Sequence, residues 1–84
     1  PGAAELLTRA EDDLQLADVV LSGGPLVGAA LRDAQLPARL LVVAVGRGAE
    51  KIVPHGSTVL QAGDRLTVVG PAEAVTTLRR TGAG

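Results

Sequence analysis

Few side chains in this sequence are of types that do chemistry, and their spacing narrows the options further. The chain has one histidine, His55, which follows Pro54 among turn-forming residues. Imidazole can carry protons, contact a ligand or bind a metal near neutral pH. Three readings of His55 therefore stand. It is an exposed loop residue, a contact in a ligand cleft or pH sensor, or a metal contact lacking any histidine or cysteine companion. Arg39 precedes an apolar run and Arg47 follows it. Each guanidinium can fork onto a phosphate through paired hydrogen bonds, or sit solvated or salt-bridged on the surface. Ser22 and Ser57 are not framed by Gly-x-Ser-x-Gly. Ser57 also follows His55 too closely on an extended chain to form a nucleophile–base pair. Asp12-Asp13 belong to an acidic run with Glu11, and Asp64 lies beside Gly63, where it is expected to hydrogen-bond its own turn. Paired-carboxylate chemistry needs two acids brought into one cleft, and neither the charged run nor the turn aspartate offers that. We expect no enzyme activity and no metal centre.

Composition sets the frame for these residues. At 84 residues the chain is one domain. Eight basic and nine acidic residues leave a net charge of -1, so no field draws in nucleic acid or an anionic membrane. The absence of Phe, Trp and Tyr removes the stacking platforms of single-strand binders. The absence of Cys excludes disulfides and thiolate chemistry. At 46% hydrophobic and 20% charged residues, the chain is too apolar for a disordered tail. Its longest apolar run, Leu40 to Val45, falls far short of the roughly 20 residues a membrane helix needs. Gly23-Gly24 and Gly46-x-Gly48 do not continue into Gly-x-Gly-x-x-Gly, so no NAD site is expected. The ends, Pro1-Gly2-Ala3 and Thr81-Gly82-Ala83-Gly84, read as cuts in linkers, so the chain is expected to be a domain of a longer protein.

The elements that must position these residues follow from periodicity. Residues 1–13 read as a linker with a short helix, 14–80 as the domain, and 81–84 as a tail. Leu14 to Leu21 is a strand whose broken alternation predicts a bulge near Ala17-Asp18. Pro25 opens a helix carrying Leu26, Val27, Ala30, Leu31 and Ala34 on one stripe, ended by Pro37. Leu40 to Val45 is a strand apolar on both faces, which predicts a cover on each side, one of them a partner subunit. Lys51 to Val53 and Thr58 to Leu60 are extended. Gly63-Asp64 turns the chain into the strand Arg65 to Val69, and Gly70-Pro71 opens a helix to Arg80. Its apolar side is Ala72, Val75 and Leu78, or Ala74 and Leu78. The fold class is α+β: a small mixed β-sheet with two short helices, in the order β-α-β-β-β-α. A small core without aromatic rings gains from burial against a twin, so a two-fold homodimer is expected. Gly28, Ala29, Leu40, Leu41, Val42 and Val43 are its candidate interface.

Three stretches carry a family resemblance. The first is Pro25-Leu26-Val27-Gly28-Ala29-Ala30-Leu31 with Leu36-Pro37 behind it. The second is Leu41-Val42-Val43-Ala44-Val45-Gly46-Arg47. The third runs from Ile52-Val53-Pro54-His55-Gly56 through Thr58, Leu60 and Gly63-Asp64 to Leu66, Val68 and Gly70. In this order they resemble the C-terminal regulatory domain of RCK and TrkA proteins, called TrkA-C or RCK_C. That family's patterns run S-x-L-V-G-K-T-L…L-P, then L-I-V-A-I-x-R, then I-x-P-x-G-x-T-x-L-x-x-G-D-x-L-x-V-x-G. The resemblance spans about residues 14–80.

The resemblance implies a non-catalytic regulatory and dimerisation domain on the cytoplasmic side of a membrane transport protein. The transport would be of potassium or another cation, cation/proton antiport, or anion transport. It implies a homodimer, a membrane-embedded transport domain as partner, and in some members a small regulator such as cyclic di-AMP in the dimer cleft. An arginine just before the apolar strand contributes to that cleft in such relatives, which places Arg39 in the ligand set. Ile52, Val53, Pro54 and His55 complete it, the first three offering apolar contact in place of aromatic stacking. Where those relatives often carry an asparagine within the strand, this chain has Leu40 to Val45. Two alternatives stand beside the sensor: a structural dimerisation module without a ligand, and a small-molecule-binding domain of a soluble regulator.

Overall fold

The computed structural model describes residues 14–82. The linker and short helix expected over 1–13 lie outside the described residues, as do the last two of the tail. Among the described residues, four strands form one sheet, β1 (Gln15–Val20), β2 (Leu41–Arg47), β3 (Glu50–Ile52) and β4 (Arg65–Gly70), and one α-helix follows, α1 (Ala72–Gly82). The strand order is β1-β4-β2-β3, and every pairing is antiparallel.

Alternation explains which face is the core. In β4, Leu66, Val68 and Gly70 are buried, while Arg65, Thr67 and Val69 turn outward. Val19 of β1 and Val42 and Val45 of β2 join the inner set. Helix α1 closes that face with Ala74, Val75 and Leu78, which combines the two expected apolar sides; Ala72 is exposed. Leu60 and Leu66 bracket the Gly63-Asp64 turn and are both fully buried. Gly63 has φ +90°, and its N–H donates to the Leu21 carbonyl at 2.7 Å, while the Leu21 N–H donates to Asp64 O at 2.8 Å.

Two elements differ from the sequence-based expectation. No α-helix forms over 25–34. The chain turns through 25–28, passes Gly28 at φ +88°, extends at Ala30 and makes one 3-10 turn, Leu31–Asp33. The reason lies in the backbone partners. Gly28 N–H donates to Leu60 O (2.7 Å), Leu60 N–H to Ala29 O (3.0 Å), Leu31 N–H to Thr58 O (2.9 Å) and Arg32 N–H to Gly56 O (2.9 Å). Segment 28–32 thus pairs with 56–60, and these long-range bonds outcompete a helix weakened by glycine. The apolar stripe keeps its role, since Leu26 is buried and Val27, Leu31 and Ala34 pack on the core.

The bulge is also elsewhere. β1 pairs with β4 without a break, and the register shift falls in β2 between Val42 and Ala44. Leu16 broke the alternation because it faces outward and is 71% exposed.

Candidate functional site

The charged residue most tightly built into the fold is Asp64, which is 1% exposed. Arg47, at the end of β2, reaches it with two bonds: Nε to Oδ1 and Nη2 to Oδ2, each 2.8 Å. The same Nη2 donates to the Val59 carbonyl at 2.9 Å, and the Gln61 N–H donates to Asp64 Oδ2 at 2.9 Å. The Arg47 hydrogen bonds hold the Asp64 carboxyl below the usual carboxylate range; burial opposes this and the Gln61 N–H assists it. Arg47's fork is therefore spent on a carboxylate within the chain. Asp64 does serve its own turn, as its position beside Gly63 suggests, and it also anchors β2.

A hollow of about 260 Å³ opens where the 28–36 segment, the start of β2 and the loop after β3 meet. Pro54, His55, Leu40, Leu41 and Val42 line it, together with Leu31, Arg32, Leu36 and Gly56. It thus gathers two of the expected ligand residues and three of the expected interface residues. Its wall is apolar, and Arg32 and His55, both exposed, stand at its rim. The His55 backbone is fixed by a short loop: its N–H donates to Thr58 Oγ1 at 2.9 Å, and its carbonyl accepts from Thr58 N–H at 3.0 Å. Gly56 packs closely here: a Cβ would meet Arg32 Cβ at 3.3 Å, a tight contact.

The remaining candidates lie elsewhere. Arg39, with φ 69°, lines a separate hollow with Pro37, Ala38, Pro71, Glu73, Ala74 and Thr77. Ile52 packs against the core opposite Val45, and Val53 is 74% exposed. Gly28 and Ala29 bond to Leu60, and Val43 protrudes at the bulge. Val42, though it touches the hollow, is buried in the core. Arg32, Leu31, Leu36 and Gly56 were missed because a helical reading of 25–36 hides their pairing with the His55 loop. Among the described residues no group of three or more His, Asp or Glu side chains could hold a metal ion.

Comparison with known proteins decides the family. The family model for the TrkA-C domain matches residues 16–81. This chain belongs to the TrkA-C domain family. A TrkA-C domain of this kind shares 38% identity over 81 residues with the "Putative Na(+)/H(+) antiporter YjbQ" of Bacillus subtilis (strain 168), covering 96% of this chain and 13% of that protein. It shares 32% identity over 80 residues with the "Trk system potassium uptake protein TrkA homolog" of Archaeoglobus fulgidus, covering 94% of this chain and 18% of that protein. The chain therefore spans less than a fifth of the curated relatives it matches. A solved structure described as "Structure of RCK domain with cda" superposes with a TM-score of 0.72 at 32% identity, over 81% of this chain and 94% of that one. The TrkA-C architecture, an α+β domain with an antiparallel four-stranded sheet and a C-terminal helix, is thus shared with an RCK domain.

Proposed function

We propose that this TrkA-C domain is a non-catalytic regulatory module on the cytoplasmic side of an ion-transport protein. In this reading it works as a homodimer whose geometry answers to a small ligand. The observation that carries the reading is the hollow bounded by Pro54-His55 on one side and Leu40 to Val42 on the other. Its volume of about 260 Å³ lies just under the usual range for a complete small-molecule site. One copy therefore offers a partial wall. Two copies facing each other across it would enclose a two-fold ligand such as cyclic di-AMP, with apolar contacts to the bases and Arg32 and His55 near the charged groups. The similar solved RCK domain, determined with cda, supports a ligand of its own kind here. The similar antiporter and potassium uptake proteins support an ion-transport parent, joined to a membrane-embedded domain. A ligand that binds one dimer geometry better than another shifts the population toward it, and the flanking chain passes the change on.

The test is calorimetry with cyclic di-AMP on the 84-residue chain, beside sedimentation at several concentrations. Saturable heat, with half a ligand bound per chain and loss of binding in Arg32→Ala and His55→Ala, is the expected result. Silence with cyclic di-AMP from a chain that does dimerise favours the second reading, a dimerisation module without a ligand. The exposed Val43 (42%) favours that reading, since it offers apolar surface beyond the hollow. A chain that stays monomeric at high concentration and binds nothing removes both.

A further inference from the structure

The outer face of the sheet carries one straight row across all four strands. Val20 of β1 pairs with Arg65 of β4, Arg65 with Gly46 of β2, and Gly46 with Lys51 of β3. A hollow of about 350 Å³ lies over this row, with Gly63 and Glu50 at its border. It is separate from the Pro54-His55 hollow and independent of the function proposed above.

Gly46 is a glycine inside a strand that the fold does not explain. Glycine inside a strand weakens it and often marks a place where something approaches closely. Gly46 is not among the glycines with positive φ. A Cβ there would meet Arg65 Cβ at 3.7 Å and Arg65 O at 3.8 Å, which is ordinary contact. Neither backbone conformation nor packing requires glycine at this position. What glycine provides is a gap between two cations, whose Cα atoms stand two strand spacings apart, about 10 Å. Among the described residues, the one salt bridge joins Arg47 to Asp64, leaving Arg65 and Lys51 unpaired. Glu50 lies opposite Arg47, one step along β3 from Lys51, and its charge acts on that arginine.

We propose that the Arg65–Gly46–Lys51 row is a binding site for a phosphate-bearing anion, seated over Gly46 between the guanidinium and the ammonium group. Arginine supplies a planar fork to phosphate oxygens and lysine a mobile point charge, and both act more strongly in a concave site than on open surface. The phosphate group can come from a soluble anion or from an anionic lipid headgroup.

The test uses the 84-residue chain in two arms. In the first, ¹⁵N amide spectra at low ionic strength are titrated with inorganic phosphate. In the second, the chain is sedimented with phosphatidylcholine vesicles, with and without phosphatidic acid. Saturable shifts at the Gly46, Gly48, Gly63 and Arg65 amides are expected for a soluble anion. Binding confined to phosphatidic acid vesicles assigns the site to a headgroup. In either arm Arg65→Gln or Lys51→Gln weakens binding about tenfold. Gly46→Val keeps every charge and fills the gap, so it abolishes binding at this site. Equal binding by a folded Gly46→Val, or by both glutamine variants, leaves only diffuse attraction and overturns the proposal. So does the lack of a saturable response in both arms. The amide spectrum of each variant reports its folding, and the two glutamine changes at exposed positions carry the test if the valine variant unfolds.

Discussion

At the scale of single residues, the Arg47–Asp64 pair decides how the domain responds to acid. The Asp64 carboxyl is held below its ordinary value in the folded state, chiefly by the Arg47 hydrogen bonds. Its contribution to stability is therefore complete above the unfolded value of about 4, and it is lost as pH falls through the folded value. Asp64→Asn is expected to lower stability by about 2–3 kcal/mol at neutral pH, measured by urea unfolding. The gap between wild type and variant should close as the titration moves below about pH 4, and a gap that persists there would contradict this account. Half of the pair was legible beforehand: an aspartate after Gly63 belongs to a turn, and the Gln61 N–H confirms it. Arg47 was visible as a forked donor, but its acceptor lies 17 positions away, and nothing local in the sequence links the two.

At the scale of elements, the C-terminus of α1 is tied to the loop after β1. The Ser22 N–H donates to Gly82 O at 3.0 Å, satisfying a carbonyl that the helix cannot. Gly24, at φ +86°, lies so close that a Cβ would fall on the Thr81 carbonyl oxygen. Gly24→Ala is therefore expected to cost more than the roughly 1–2 kcal/mol of a left-handed alanine, because it also pushes the loop off the helix. Thermal unfolding measures this, and Gly23→Ala is the control, with nothing within 4 Å of its Cβ. A similar close approach occurs at Gly70, where a Cβ would meet Leu40 Cδ1 at 2.8 Å and Arg39 O at 3.2 Å. Strand β4 and helix α1 were readable because their residues contact the core at one period throughout. The 25–36 segment was not, because its apolar spacing suits a helix while its hydrogen-bond partners lie in the His55 loop. Periodicity reports which side chains are buried, and it is silent on where distant backbone groups meet.

At the scale of the whole molecule, the outer sheet face is graded. Leu16, Val69 and Leu41 form one apolar row across three strands at one end. Asp18 and Thr67, bonded at 2.8 Å, follow, and then the Arg65 row. The proposed dimer predicts that Leu41→Lys weakens self-association by about tenfold or more in sedimentation equilibrium. Val53→Lys should leave it unchanged, although Val53 is the more exposed of the two. Equal effects from both would show that solubility, and not a defined contact, governs association. The double-sided apolar character of Leu40 to Val45 was legible as a sequence pattern. Of that run only Val42 and Val45 are buried, while Leu41 and Val43 are exposed on the face where the proposed dimer would make its contact.

The route of the chain has a mechanical consequence. β1 begins at Gln15, beside Gly70 and the start of α1, while α1 finishes beside Ser22, past the other end of β1. Tension on the segment ahead of Gln15, directed along the strand, would draw β1 lengthwise past β4. All six rungs from Gln15–Gly70 to Val20–Arg65 then share the load together instead of parting one by one. A tug from that side, opposed at β4, would thus meet the resistance of the whole ladder at once.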